Sequence, residues 1–203
     1  MQHQHHHRDF NRILTGRYRH LDRVARGAGW FYQRLGCCAG TEFNLAFVSA
    51  SETIAFAAAR WAEAHHQSLF AGANPDVASM FIWHLAEEVE HKSVAFDVHR
   101  VVKTRRRYYP LAALLALMSL IIFVSLGTTT MLMAERRLWN PLAWFRLTGW
   151  AVTFAFELIP LLVLAGFPHF HPDQLSDPLR YQLWLRQYDT AEVGIDQPHP
   201  TDL

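Results

Sequence analysis

The sequence is poor in cysteine and in charge. Cys37 and Cys38 are the only cysteines among 203 residues, and as neighbours they lack the spaced second pair that a zinc ribbon or a disulfide framework needs. We therefore expect both to be buried, reduced thiols. Charged residues make up 18% of the chain and apolar residues 51%. Because an average soluble domain is roughly a quarter charged, this balance favours membrane association or extensive burial.

Several functional signatures are also missing. The chain has no nucleophile elbow, P-loop or dinucleotide fingerprint, and a formal charge of +1 gives no indication of nucleic acid, so we predict no nucleic-acid partner. No secretory signal is visible, because the start is polar and histidine-rich where an apolar segment should stand. The bulk of the soluble part is therefore predicted to be cytoplasmic.

Histidine, in contrast, is abundant. The 13 histidines make metal binding worth testing. Several of them lie in the run MQHQHHH at residues 1–7, which has three interpretations: an expression tag, a histidine-rich start, or the broken end of a helix. Apolar residues at helical intervals follow this run without a linker, which counts against a tag.

The stretch WHLAEEVEH at residues 83–91 places acidic and imidazole side chains at helical spacing in apolar sequence. On one helix face, either Glu88 and His91 or Glu87 and His91 can bind the same ion. A Glu-x-x-His pair is what a di-iron or di-manganese helical bundle takes from each of two helices. The alternative is an exposed acidic face with a satisfied histidine.

A further carboxylate lies upstream. The pattern predicts two helices, over residues 41–70 and 75–102, and Glu52 is an isolated charge in the first of them. A buried carboxylate needs a partner, for which a metal is one candidate. If the helices fold about residue 72, the heights of Glu52 and Glu88 differ by about 6 Å, roughly one turn at about 1.5 Å per residue. We therefore expect Glu52 to reach the same layer.

Two long apolar runs follow. Residues 110–134 are free of charge, and a helix needs about 20 apolar residues to cross the hydrocarbon core. The second run, residues 147–167, is interrupted by Glu157 and Pro160, and a glutamate in lipid must face a partner or water. We predict a transmembrane hairpin. The alternatives are a buried core helix for the first run and a re-entrant or protein-packed helix for the second.

A family resemblance rests on the motif WHLAEEVEHKSVAFD at residues 83–97, with Glu52 upstream and FHP at residues 170–172. This pattern resembles the bacterial family of predicted metal-dependent hydrolases, which is similar to ferritin-like four-helix proteins, and it covers most of the chain. The resemblance implies an all-α, ferritin-like bundle portion with a metal site. Carboxylate and imidazole ligands suit a divalent metal, namely iron, manganese or zinc.

The family pattern also implies an earlier glutamate-bearing helix and then a helix with Gln-Glu-x-x-His. The first helix is absent here, and if His3 is the histidine of the second motif, its glutamate would fall before Met1. The resemblance therefore implies an N-terminally truncated member. Of a six-ligand set, His3, Glu52, Glu88 and His91 would remain.

Weaker candidates lie around this motif. His84, one turn before Glu88, either helps to orient that ligand or packs between helices. Asp97 either orients a ligand or faces solvent. His169 and His171 lie in a proline-bounded loop, where we expect a structural role.

Three functions stay open at this point. The first is a metal-dependent hydrolase, in which metal-activated water attacks an unidentified small-molecule substrate with Glu87 as base. The second is a di-iron oxygen-activating oxidase or hydroxylase that acts on a lipid-like substrate. The third is a truncated, non-catalytic membrane protein.

The predicted organisation has three parts. A helical metal-site portion spans residues 1–107, a hydrophobic helical hairpin spans residues 108–168, and a polar tail spans residues 169–203. Cations before the hairpin outnumber those in its connector, which favours both termini in the cytoplasm. We therefore expect a bacterial inner-membrane protein whose metal-site portion is cytoplasmic and whose partners include membrane lipid, with a homo-oligomer left open.

Overall fold

The computed structural model describes residues 12, 14, 16–101, 108–167, 169–179 and 181–183. Within this part of the chain there are helices and loops but no strand, which confirms the prediction of an all-α protein. The helices are α1 (Leu21–Cys38), α2 (Thr41–Ala64), α3 (His66–Leu69), α4 (Pro75–His91), α5 (Val94–Val101), α6 (Tyr108–Ala134), α7 (Pro141–Ala165) and a 3-10 turn (Pro172–Gln174).

Helix α2 is the centre of the fold. It packs against α4, α5, α6 and α7, while α1 packs against α6. Small side chains make this crowding feasible, because Ala46, Ala50 and Ala57 on α2 are fully buried and let neighbouring backbones approach. Phe56 is the largest fully buried side chain among the described residues. Since α2 contacts helices of both the predicted metal-site portion and the predicted hairpin, one core serves both, and the division into portions stays a prediction.

Two predicted helices are each interrupted. The helix expected over residues 41–70 ends at Ala64, and the short α3 follows after His65. The helix expected over residues 75–102 ends at His91, and a turn at Lys92 and Ser93 precedes α5. Neither break has a glycine or proline. At the second break, Lys92 contacts a distant segment of the chain, as described below.

The adjacent cysteines contradict their prediction in part. Cys37 and Cys38 are free thiols, but both are exposed. They form the last turn of α1, an amphipathic helix with no buried residue. Leu35 on α1 packs against the core, whereas the side chains of the two cysteines lie on the solvent-exposed part of the helix end.

The two apolar runs form α6 and α7, which are long and apolar enough to cross a membrane. That statement rests on length and composition alone. Only 22% of the apolar window of α6 and 17% of that of α7 are buried. The connector is shorter than expected because α7 begins at Pro141, where Asn140 caps the helix by accepting hydrogen bonds from two backbone N–H groups.

Glu157, the charge within the second apolar run, has a partner. Its Oε1 lies 2.7 Å from Nε of Arg60 on α2, as the cost of an isolated carboxylate in apolar surroundings requires. One turn away, Trp61 Nε1 donates a hydrogen bond of 3.0 Å to Thr153 Oγ1. These two polar contacts fix α7 against α2.

Candidate metal centre

Three of the residues singled out from the sequence meet in one cluster. Glu52, Glu88 and His91 each offer a ligand atom, and these atoms all lie within 4.8 Å of one another. Glu52 comes from the middle of α2, whereas Glu88 and His91 come from the last turn of α4. The expected register, in which Glu52 reaches the layer of the Glu-x-x-His pair, is therefore present. Their role as metal ligands stays a prediction.

The cluster fits a divalent cation in chemistry and in size. Carboxylate and imidazole ligands lie about 2.0–2.2 Å from a transition metal, so two ligands on opposite sides of one ion are about 4.4 Å apart at most. The ligand atoms here all lie within 4.8 Å of one another, close enough for small side-chain rotations to bring them onto one ion. Two carboxylates and one imidazole suit iron, manganese or zinc.

The cluster is open on one side. Glu52 and Glu88 are half-buried, whereas His91 is exposed, and Glu52 Oε2 is shielded from solvent. Burial raises the free-energy cost of keeping two neighbouring carboxylates ionised unless a cation or a proton offsets their charge. The exposed face at His91 leaves room for water or a substrate to approach.

His84 lies beside one of the three residues. Its Nε2 is 3.5 Å from Glu88 Oε1, across one turn of α4. Of the two alternatives for His84, this contact agrees with the one in which the imidazole orients the Glu88 carboxylate.

One other predicted site residue, Glu87, is not part of the cluster. Glu87 is half-buried on α4, but it is not a member of the three-residue group, because successive helical residues project about 100° apart. Its role as base stays a prediction. His3 lies outside the described residues.

The FHP loop contacts the helix that follows the cluster. His171 Nδ1 accepts a hydrogen bond of 3.3 Å from the backbone N–H of Asp173, which assigns the ring proton to Nε2. That Nε2 lies 2.8 Å from Asp97 Oδ1. Asp97 therefore holds the loop, and the structural role expected for His171 is observed. The backbone carbonyl of His169 accepts a hydrogen bond from Gln174.

Lys92 was missed by the sequence reasoning. It follows His91 directly, and its side chain is only 10% exposed. Its Nζ forms an ion pair with Asp177, lies 3.4 Å from the Leu175 carbonyl oxygen and sits 5.3 Å from the centre of the Phe56 ring. The sequence feature that could have identified Lys92 is its position directly after the candidate ligand His91 in an apolar stretch.

Two titratable groups close to this region have shifted pKa values. Burial lowers the pKa of His99 on α5, so its imidazole is neutral at neutral pH. Burial, together with the negative charges of Glu90 and Asp177, raises the pKa of Tyr181 to about 12.

Comparisons with known proteins agree with the motif. Searches of curated proteins and of solved structures found no match to the chain. A family model described as "Predicted metal-dependent hydrolase" matches residues 1–176. Since the match includes the whole Glu52, Glu88 and His91 cluster and most of the chain, the protein belongs to the family of predicted metal-dependent hydrolases.

Proposed function

We propose that the protein is a metal-dependent hydrolase in which Glu52, Glu88 and His91 hold a divalent cation. One observation carries the proposal: ligand atoms from two helices, far apart in sequence, converge within 4.8 Å in a chain of this family. A lone Glu-x-x-His pair is weak support for a metal, but the addition of Glu52 from a second helix makes a set of three. His3 would add a fourth ligand.

The role proposed for each residue of the site follows from its position and its chemistry. A divalent cation bound here would supply Lewis-acid activation of water for attack on an ester-like or amide-like substrate. His84 orients Glu88, and the exposed side at His91 admits the substrate. Glu87 is proposed as the base that accepts a proton. The cation is proposed to be iron or manganese, with zinc as the alternative.

Membrane association is part of the proposal. A core helix of a soluble protein would be mostly buried, whereas α6 and α7 are buried over only 22% and 17% of their apolar windows. We propose that membrane lipid covers these surfaces. We propose the bacterial inner membrane, and the cations Arg100, Lys103 and Arg105, which precede α6 in sequence, favour an orientation with the metal-site portion in the cytoplasm. Self-association is the other means of covering the same surfaces.

Metal content tests the central claim. Protein purified without a tag is analysed by mass spectrometry for iron, manganese and zinc, alongside a Glu88→Ala, His91→Ala double variant. We expect at least one metal ion per chain in the unsubstituted protein and its loss in the double variant. Glu90→Ala is the matched control, because Glu90 is an exposed glutamate on the same helix outside the cluster. An unsubstituted protein without metal contradicts the proposal and favours a non-catalytic protein.

The reaction is tested separately. Metal-loaded protein is incubated with a panel of chromogenic esters and amides, and a Glu87→Gln variant is compared with it. We expect hydrolysis that a chelator abolishes and added metal restores, with a rate about 100-fold or more lower in Glu87→Gln, the typical worth of a general base. Oxygen consumption with a lipid-like substrate, in the absence of hydrolysis, favours the oxidative alternative instead.

Extraction tests the membrane claim. Membranes that contain the full chain are washed with alkaline carbonate and then with detergent. We expect the protein to stay in the membrane through the carbonate wash and to leave it with detergent. Release by carbonate alone contradicts integral spans.

A further inference from the structure

A segment near the end of the described chain lies against the break between α4 and α5. We call residues 169–177 the strap. The rings of Phe170 and Phe96 on α5 pack edge to face, with centres 6.1 Å apart. The strap is also fixed by two polar pairs, His171 with Asp97 and Asp177 with Lys92. It therefore contacts the turn after His91 and the beginning of α5.

Lys92 joins the strap to both helices that carry candidate ligands. On α4 it is the residue directly after His91. On α2 its Nζ lies 5.3 Å from the ring centre of Phe56, which is one helical turn after Glu52. On the strap it pairs with Asp177. One side chain thus contacts or adjoins every element from which the cluster is built.

Lys92 lies at the break between α4 and α5. Ser93, a residue type that favours the start of a helix, follows it directly. A lysine that is only 10% exposed must keep its ammonium group paired, and its partners lie in the strap. The pair with Asp177 lies where the chain leaves the helix, at residue 92, and α5 begins with a hydrogen bond of 2.8 Å from Asp97 N to Ser93 O.

We propose that Lys92 is a positioning residue whose pair with Asp177 fixes the α4 terminus so that His91 meets Glu52 and Glu88. The inference rests on the proposed metal site. The last turn of a helix frays unless its end is tied down, and His91 is the last residue of α4. Ligand sets bind metal tightly only when surrounding groups hold them in place. The Lys92 pair supplies that restraint from outside the cluster.

Cobalt(II) titration of the full chain in detergent tests this proposal. The readouts are the dissociation constant and the visible absorption spectrum, which reports the coordination geometry. Asp177→Asn keeps the shape of the side chain and removes its charge, and Lys92→Met removes the ammonium group. Asp22→Asn is the matched control, because Asp22 forms an exposed ion pair with Arg26 on α1. Thermal unfolding of each metal-free variant is measured in parallel.

We expect Asp177→Asn and Lys92→Met each to bind cobalt about 10- to 100-fold more weakly, the usual effect of removing an outer partner of a metal site. Their cobalt spectra are expected to change as well. The double variant should be no weaker than the weaker single variant, because both substitutions remove the same restraint. Asp22→Asn should bind as the unsubstituted chain does. If Lys92→Met fails to fold, Asp177→Asn alone decides.

The outcomes separate this inference from the proposed function. If the unsubstituted chain binds cobalt and Asp177→Asn binds it with equal affinity and an unchanged spectrum, the positioning role is wrong and the metal site stands. Losses that add in the double variant also overturn it, because they indicate two independent effects. If the unsubstituted chain does not bind cobalt, the proposed function fails and this inference fails with it.

Discussion

Replacement of Glu157 by glutamine should weaken the packing of α7 against α2. Glu157 and Arg60 form a pair with a 2.7 Å contact, and their side chains are 29% and 32% exposed. The substitution keeps the size of the side chain but removes the negative charge. Arg60 then stays half-buried without its counter-charge, with the Phe56 ring 6.0 Å away as its remaining described contact in this region.

The magnitude follows from distance and burial. At this separation two unit charges attract by about 6 kcal/mol at an effective dielectric constant of about 20, which is a ceiling because desolvation opposes the attraction. Breaking a fully buried pair costs about 3–5 kcal/mol, and a surface pair contributes about 0–1 kcal/mol. Since both side chains are about one-third exposed, we expect an intermediate loss of about 2–3 kcal/mol. For a chain of this length, that loss lowers the melting temperature by about 4–12 °C.

The assay is thermal unfolding of the full chain in detergent, followed by circular dichroism. Asp22→Asn serves as control, because the exposed Asp22–Arg26 pair should contribute about 0.3–0.5 kcal/mol. A double variant, Arg60→Leu with Glu157→Leu, should be more stable than Arg60→Leu with Glu157 intact, since it leaves no unpaired charge. If Glu157→Gln melts no lower than Asp22→Asn, the ion pair does not hold α7 in place.

Three further predictions concern titration and reactivity. Because burial lowers the pKa of His99, the unfolded chain binds more protons than the folded chain below the ordinary value of about 6.5; stability should therefore fall as the pH drops through that range, and the fall should be shallower in His99→Leu. The pKa of Tyr181 is raised to about 12, so the neutral phenol is favoured in the fold; in ultraviolet titration the tyrosine signal that appears near that pH should be smaller in Tyr181→Phe, and stability should decline above the ordinary value of about 10. Cys37 and Cys38 are exposed, so both should react with a thiol reagent without denaturant, and slow reaction at either would contradict their position on α1.

The meeting of Glu52 with Glu88 and His91 was predictable because it depends on local rules. The rise of a helix and the shortness of the turn between two helices set which residues share a layer. An isolated carboxylate in apolar sequence then singles out Glu52. The same reasoning found α6 and α7, since apolar runs of that length form helices in either a membrane or a core.

Contacts between distant segments were not predictable in the same way. The charge of Glu157 required a partner, but no rule of spacing identifies Arg60, which lies on a helix almost a hundred residues earlier. The burial expected for Cys37 and Cys38 was wrong for a related reason. Cysteine is buried in most proteins, but the place of α1 on the outside of the bundle decides the exposure of its last turn.

The break after His91 involves both the local helical pattern and a contact between distant segments. Residues 83–97 form a continuous helical pattern, yet α4 ends at His91 and α5 begins at Val94. At this break Lys92 pairs with Asp177, which is 85 residues away. One helical turn after Phe56 on α2, Arg60 pairs with Glu157 of α7. Lys92 and Arg60 thus lie 5.3 Å and 6.0 Å from the centre of the buried Phe56 ring. Through this ring the candidate metal centre is connected to the apolar helices, so the metal centre and the proposed membrane anchor share one core.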